Sequence, residues 1–234
     1  MAARSPVLLS MLAAVAVAGC STAEGAGAPV AAASSQAGVA PSATGATAAR
    51  TIPATAFYTM PEGMRREQRK AEGSDAVPEL CDRELAPGDG VVASAAMMNL
   101  YQTPDSPEGS VPHGMLYQTI RSYDGDGATA FMERARDGLA GCQSFKTGES
   151  TVRVRTKALP GAADEALTID LVRPQLDLPG DPTGGEQTNK VVVMRFGTVV
   201  TVLYDDEYER SSSIPQLVDT FVDGSAKAIK AWRG

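Results

Sequence analysis

Residues 190–204 read KVVVMRFGTVVTVLY, and this stretch decides the fold. Val191 to Arg195 is rich in β-branched residues and leads into a turn around Phe196 to Thr198. On the return, Val199, Thr201 and Leu203 take one face, and Val200, Val202 and Tyr204 take the other. Two such runs joined by a short Gly-containing turn predict an antiparallel hairpin. Upstream, Asp177 to Thr188 is rich in Pro and Gly and is expected as a loop. Downstream, Asp205 to Arg210 is expected as a solvated acidic loop, because its carboxylates match no EF-hand spacing for Ca²⁺.

Beyond that loop the chain closes on a helix. Ser213 and Gln216 stand in capping-box spacing, and Pro215 falls in the first turn, where proline is tolerated. Ile214, Leu217, Val218, Phe221, Val222, Ile229 and Trp232 form one apolar stripe, and Ser225 is small enough not to break it. Ala128, Phe131, Ala135, Leu139 and Cys142 repeat the same periodicity behind a candidate N-cap, Asp126. Val91 to Tyr101 and Gly114 to Tyr123 read as strands that pair across a turn at Asp105 to Gly109. Thr151 to Thr156 and Leu167 to Arg173 add two more strands, and Thr59 to Lys70 is expected as a short helix. Strands and helices in this order define an α+β fold, with a mostly antiparallel sheet and helices packed on one face.

The first residues carry an address. Arg4 precedes an apolar run from Val7 to Ala18 that is shorter than the roughly 20 residues a span requires. The run ends Val17-Ala18-Gly19-Cys20, which resembles the bacterial lipobox. The expectation is a lipoprotein signal peptide over 1–19 and diacylglycerol on Cys20. Two acyl chains suffice for stable anchoring at about 0.8 kcal/mol per buried CH₂. The protein would then sit on the extracytoplasmic face of the cell membrane. Ala, Gly, Ser, Thr and Pro fill 25 of the 30 positions 21–50. A segment with so little to bury cannot offset its ordering entropy, so 20–51 is expected as a disordered tether and 52–234 as a single domain.

Composition removes several functions. With 21 Lys and Arg against 28 Asp and Glu, the net charge is −7, which argues against nucleic acid as a partner. One His and three Cys exclude a multi-His metal centre, a Cys₂His₂ finger and a haem CxxCH site. No GxSxG, P-loop or Rossmann fingerprint occurs. His113 follows Pro112 with no evident orienting carboxylate and is expected to pack or lie at the surface. Met60, Met64, Met97, Met98, Met115 and Met194 are expected to fill core rather than to bind soft metal. A non-catalytic protein with no cofactor is the expectation. In an exported protein Cys81 and Cys142 are expected to pair. The loop of about 61 residues that they would close is worth roughly 4 kcal/mol in the chain-entropy model.

The succession of lipobox Cys20, tether, Cys81, amphipathic helix ending in Cys142, hairpin Val193-Met194-Arg195-Phe196-Gly197 and closing helix resembles actinobacterial sensor-domain lipoproteins. It is similar to the PknH-like extracellular sensor domain over roughly residues 78–234. The resemblance implies an α+β sheet with a cleft that binds a ligand outside the cell. Unlike the kinase-linked members, the chain is expected to have no kinase domain or transmembrane helix, and it has cysteines for one disulfide, so ligand capture is implied more directly than signalling. An actinobacterial lipoprotein group with a PsbP-like fold, carrying lipid or apolar cargo, is the alternative.

Candidate ligand-binding residues are basic. Arg153, Arg155 and Lys157 share a strand face opposite Val152 and Val154. Arg121 shares a face with Tyr117 and Tyr123, and Arg195 shares one with Val193. In an acidic domain such positions suit an anionic ligand: a small molecule, a lipid head group or a wall polymer. The competing reading is a solvated face whose cations pair with nearby acids.

Overall fold

The computed structural model describes residues 47–72, 76–81, 85–148 and 150–234. The expected signal peptide, Cys20 and most of the expected tether lie outside the described residues. Those that are described belong to one compact unit of the chain. Its strands are β1 (Arg65–Lys70), β2 (Val91–Tyr101), β3 (Gly114–Tyr123), β4 (Ser144–Thr147), β5 (Ser150–Ala158), β6 (Glu165–Leu176), β7 (Pro182–Phe196) and β8 (Val199–Glu207). Its helices are α1 (Gly127–Gly141) and α2 (Pro215–Arg233). The strands form one eight-stranded sheet in the order β1-β2-β3-β8-β7-β6-β5-β4. Every neighbouring pair is antiparallel.

The fold is α+β, as the sequence predicts, but the helices cover opposite faces. Val191 and Val193 of β7 belong to the core beneath α1, together with Phe131, Leu139, Val152, Ile169, Val200 and Val202. Val192 and Met194 belong to the core beneath α2, together with Leu116, Ile120, Leu203, Phe221 and Ile229. Successive side chains of a strand point to opposite faces. A run of four apolar residues in β7 therefore fills both layers, which is the pattern of a strand covered on each side. Each large apolar side chain buried this way contributes about 1.5–3 kcal/mol.

The β7–β8 hairpin turns at Gly197, whose φ of +56° suits the first position of a two-residue primed turn. On α2, Gly224 has no side chain because a Cβ there would land on the ring of Tyr58. Tyr58 in turn packs 5.7 Å from Phe221, ring to ring. Cys81 and Cys142 form a disulfide that ties the C-terminal end of α1 to the segment before β2.

Several local expectations are corrected. Thr59 to Lys70 is not a helix: Pro61 and Gly63 oppose one, and Arg65–Lys70 instead hydrogen-bonds to β2 as the edge strand β1. The Pro/Gly-rich stretch is largely strand, because β6 and β7 stay paired out to Leu176 and Pro182 and turn only at 177–181. Asp177 holds that turn by accepting from the backbone N–H groups of Gly180 and Asp181. The acidic stretch is not a solvated loop at its start, because β8 continues through Glu207 and Asp205 is buried. Ser213 forms no capping box. Its hydroxyl accepts from the N–H of Lys190, and α2 begins at Pro215 without a side-chain cap. Asp126 does occupy the N-cap of α1, also without a side-chain cap bond. Strand β4 is an addition that the sequence reading lacks.

Candidate functional site

Strand β2 contains the run Ala93-Ser94-Ala95-Ala96. Across the ladder Ser94 lies opposite Arg121 and Ala96 opposite Thr119. These small side chains leave space between β2 and the segments that cover this face of β2 and β3, and that space is an open groove of about 460 Å³. Its walls come from the segments around Ala71-Glu72, Ala76 to Glu79, and Ala86-Pro87. The Thr119 hydroxyl donates to the carbonyl of Ala76 at 2.9 Å and fixes one wall.

Arg121 forms the charged part of the floor and is only 7% exposed. Its Nη1 donates to the carbonyl of Leu85 at 2.7 Å, and its guanidinium lies 5.7 Å from the centre of the Phe131 ring. Arg134 lies over the same ring at 5.4 Å and donates to the carbonyls of Ala86 and Pro87. The Tyr123 hydroxyl also donates to Pro87. Burial pulls the Arg121 pKa down, against the favourable influence of Tyr123. Among the described residues, no carboxylate forms an ion pair with Arg121. A guanidinium in this position is a planar donor fork in a low-dielectric setting, suited to a carboxylate or phosphate oxygen.

The other basic candidates are dispersed. Arg153 and Arg155 are exposed on β5, pointing away from Val152 and Val154, which are buried under α1. Arg153 is ion-paired with Glu186. Arg195 lies at the α1-side end of β7, where it meets Glu165 at 3.4 Å and Asp164 at 3.8 Å. Arg136 of α1 reaches the same Glu165. Tyr117 lies on the same face of β3 as Arg121 but is buried with Met98 and Ala76, its ring stacked 6.1 Å from Tyr204. Of the predicted set, Arg121 alone lines the large groove.

At the other end of β8 the structure gathers polar groups that the sequence reading treats as loop. Asp205 is 3% exposed, and its Oδ1 accepts from the Tyr101 hydroxyl at 2.7 Å. Its Oδ2 is buried without a partner. Burial pushes the Asp205 carboxyl up, against the opposing influence of nearby Ser213, the Tyr101 hydrogen bond and nearby His113. Asp206 is raised for the same first reason while accepting from the Tyr204 hydroxyl at 2.6 Å. His113 packs its ring 5.9 Å from that of Tyr101, and its Nε2 meets the carbonyl of Ser212 at 3.0 Å. A carbonyl only accepts, so Nε2 carries hydrogen and is engaged with backbone. The signal for this cluster was the parity of β8: Val199, Thr201, Leu203 and Asp205 continue one face. Among the described residues, no group of three or more His, Cys, Asp or Glu could hold a metal ion. Among them, too, no helix is long and apolar enough to cross a membrane.

No family model matches the chain, and no curated protein does. Among solved structures, the chain is similar to the extracellular domain of PknH from Mycobacterium tuberculosis. The TM-score is 0.41 at 14% identity, covering 62% of this chain and 67% of that one.

Proposed function

We propose that this chain is a non-catalytic, sensor-like binding lipoprotein, anchored through Cys20 to the extracytoplasmic face of the cell membrane, that captures a small anionic ligand in the groove above Arg121. The observation that carries the reading is the buried Arg121 guanidinium, unpaired with any described carboxylate, on the floor of a groove of about 460 Å³. The lipobox and the Cys81–Cys142 disulfide support placement outside the cytoplasm. The groove is open and mixes Ser94, Thr119 and Glu72 with alanines and prolines. Such walls favour capture of a polar ligand over carriage of an apolar cargo.

The test is to incubate the full chain with a cell-envelope extract, wash, and identify retained small molecules by mass spectrometry. Wild type is expected to retain an anionic species that Arg121→Ala releases. Equal retention by the variant would remove the reading. Labelled palmitate entering wild type but not Cys20→Ala tests the anchor separately.

A further inference from the structure

A second group of cations lies at the far end of the sheet, apart from the groove over Arg121. Strand β8 leaves the sheet through two consecutive residues in the left-handed region, Glu209 (φ +49°) and Arg210 (φ +66°). Neither is glycine, so both hold a conformation that L side chains adopt at a cost. Arg210 lines a small pocket of about 110 Å³ together with Arg173, Thr147, Ser150, Gln187 and Glu207.

The donor inventory of this pocket does not close. Arg173 donates from Nη2 to Oδ1 of Asn189 at 2.7 Å and meets Glu207 Oε1 from Nη1 at 3.3 Å, but its Nε is buried with no partner. Arg210 has neither an ion pair nor a hydrogen bond to a described residue, and its Nη1 is buried and unpartnered. Among the described residues the one carboxylate lining the pocket, Glu207, is already engaged, with Arg173 on one oxygen and Gln187 Nε2 on the other. Among the described lining residues, two guanidinium groups stand against one carboxylate. Buried charged donors without acceptors are costly to keep. Here the two side chains that carry them line one small pocket, and a strained backbone brings the second there.

We propose that this pocket is an oxyanion site, in which Arg173 Nε and Arg210 Nη1 donate to the oxygens of a phosphate or carboxylate group. Guanidinium is the donor suited to both, because its planar fork matches paired oxygens. The volume admits such a head group and not a whole sugar or acyl chain. The remainder of the ligand extends into the adjoining groove of about 410 Å³, which shares Thr147, Val152 and Arg173 with the pocket. The site is independent of the reading of Arg121.

The test is calorimetric titration of the full chain with inorganic phosphate and, separately, with acetate, in low-salt buffer free of both. Saturable binding of phosphate alone assigns a phosphate group, of acetate alone a carboxylate, and of both an unselective oxyanion site. In each case Arg210→Gly is expected to weaken binding about tenfold or more, the loss of a charge-assisted hydrogen bond. It should do so without lowering the Tm measured in anion-free buffer, because glycine relaxes the left-handed backbone. Arg210→Lys keeps the charge but not the fork and is expected to weaken binding as well, which covers the case of a poorly folded glycine variant. Failure of both anions to bind wild type, or wild-type affinity in both variants, overturns the proposal.

Discussion

Strands β7 and β2 belong to one sheet and treat its faces in opposite ways. In β7, Val191 and Val193 meet α1 while Val192 and Met194 meet α2, so both faces are filled. In β2, Ser94 and Ala96 present little side-chain volume to the α1-side face, and neither α1 nor α2 comes down on them. The difference is one of side-chain volume. A helix docks where the strand supplies enough apolar surface to repay its ordering, and stays away where the strand supplies methyl groups. The space left over the small side chains then becomes the groove, and the neighbouring strand places a cation in it.

The largest expected effect lies on the filled side. Phe221 is fully buried between Tyr58 and Tyr101, with ring centres 5.7 and 5.2 Å away. Phe221→Ala leaves a cavity that these rigid aromatics cannot close and should cost about 3–5 kcal/mol. Urea unfolding of the two proteins measures this directly. A loss below about 1 kcal/mol would mean that α2 does not pack on the sheet as described.

That side was also the legible one. The valines of β7 and β8, the stripe on α2 and the spacing on α1 announce their partners through local periodicity, and Val91–Tyr101 and Gly114–Tyr123 emerge with the boundaries read from the sequence. The face each helix covers was not legible, because it depends on the path of the connections and not on any local pattern. Asp205 and Asp206 misled for a related reason. Charge predicts exposure, and only long-range partners, Tyr101 at a separation of 104 residues among them, make burial of Asp205 tolerable. The groove was invisible because its signal is missing volume: an Ala-Ser-Ala-Ala run reads as a weak strand, not as a site. Arg121 was singled out for its basic charge, and its burial could not be foreseen from that.

An intermediate effect tests the polar end of the filled region and carries a definite sign with pH. Burial raises the Asp205 pKa above its unfolded value. The folded protein thus holds this proton more tightly than the unfolded chain does. Its stabilising contribution is complete below the ordinary carboxylate pKa and disappears as pH rises through the raised value. Asp205→Asn keeps an oxygen for the Tyr101 hydroxyl and cannot ionise. Its stability relative to wild type should therefore grow as pH climbs from about 4, reaching an advantage of about 1–3 kcal/mol near neutrality. Thermal unfolding of both proteins across that pH range reads the difference, and a constant offset would show that Asp205 does not titrate as argued.

The smallest effect on stability is the sharpest test of the contrast between the strands. Ala96 lies opposite Thr119 on the groove floor, packed on one side against the cluster of Ala76, Met98 and Tyr117 and lining the groove on the other. If the groove beside Ala96 is free to take a larger side chain, Ala96→Leu extends into it and costs less than about 0.5 kcal/mol, the range of substitutions outside packed regions. The same leucine occupies the space beside Arg121 and should abolish retention of the anionic species from the envelope extract. A core position behaves the other way, because extra methylenes in a packed interior cost typically 1–3 kcal/mol. An unstable Ala96→Leu would therefore mean that the groove is a loosely filled part of the core. A stable variant that still retains the species would place capture elsewhere on the molecule, and the small side chains of β2 would then need a reason other than ligand binding.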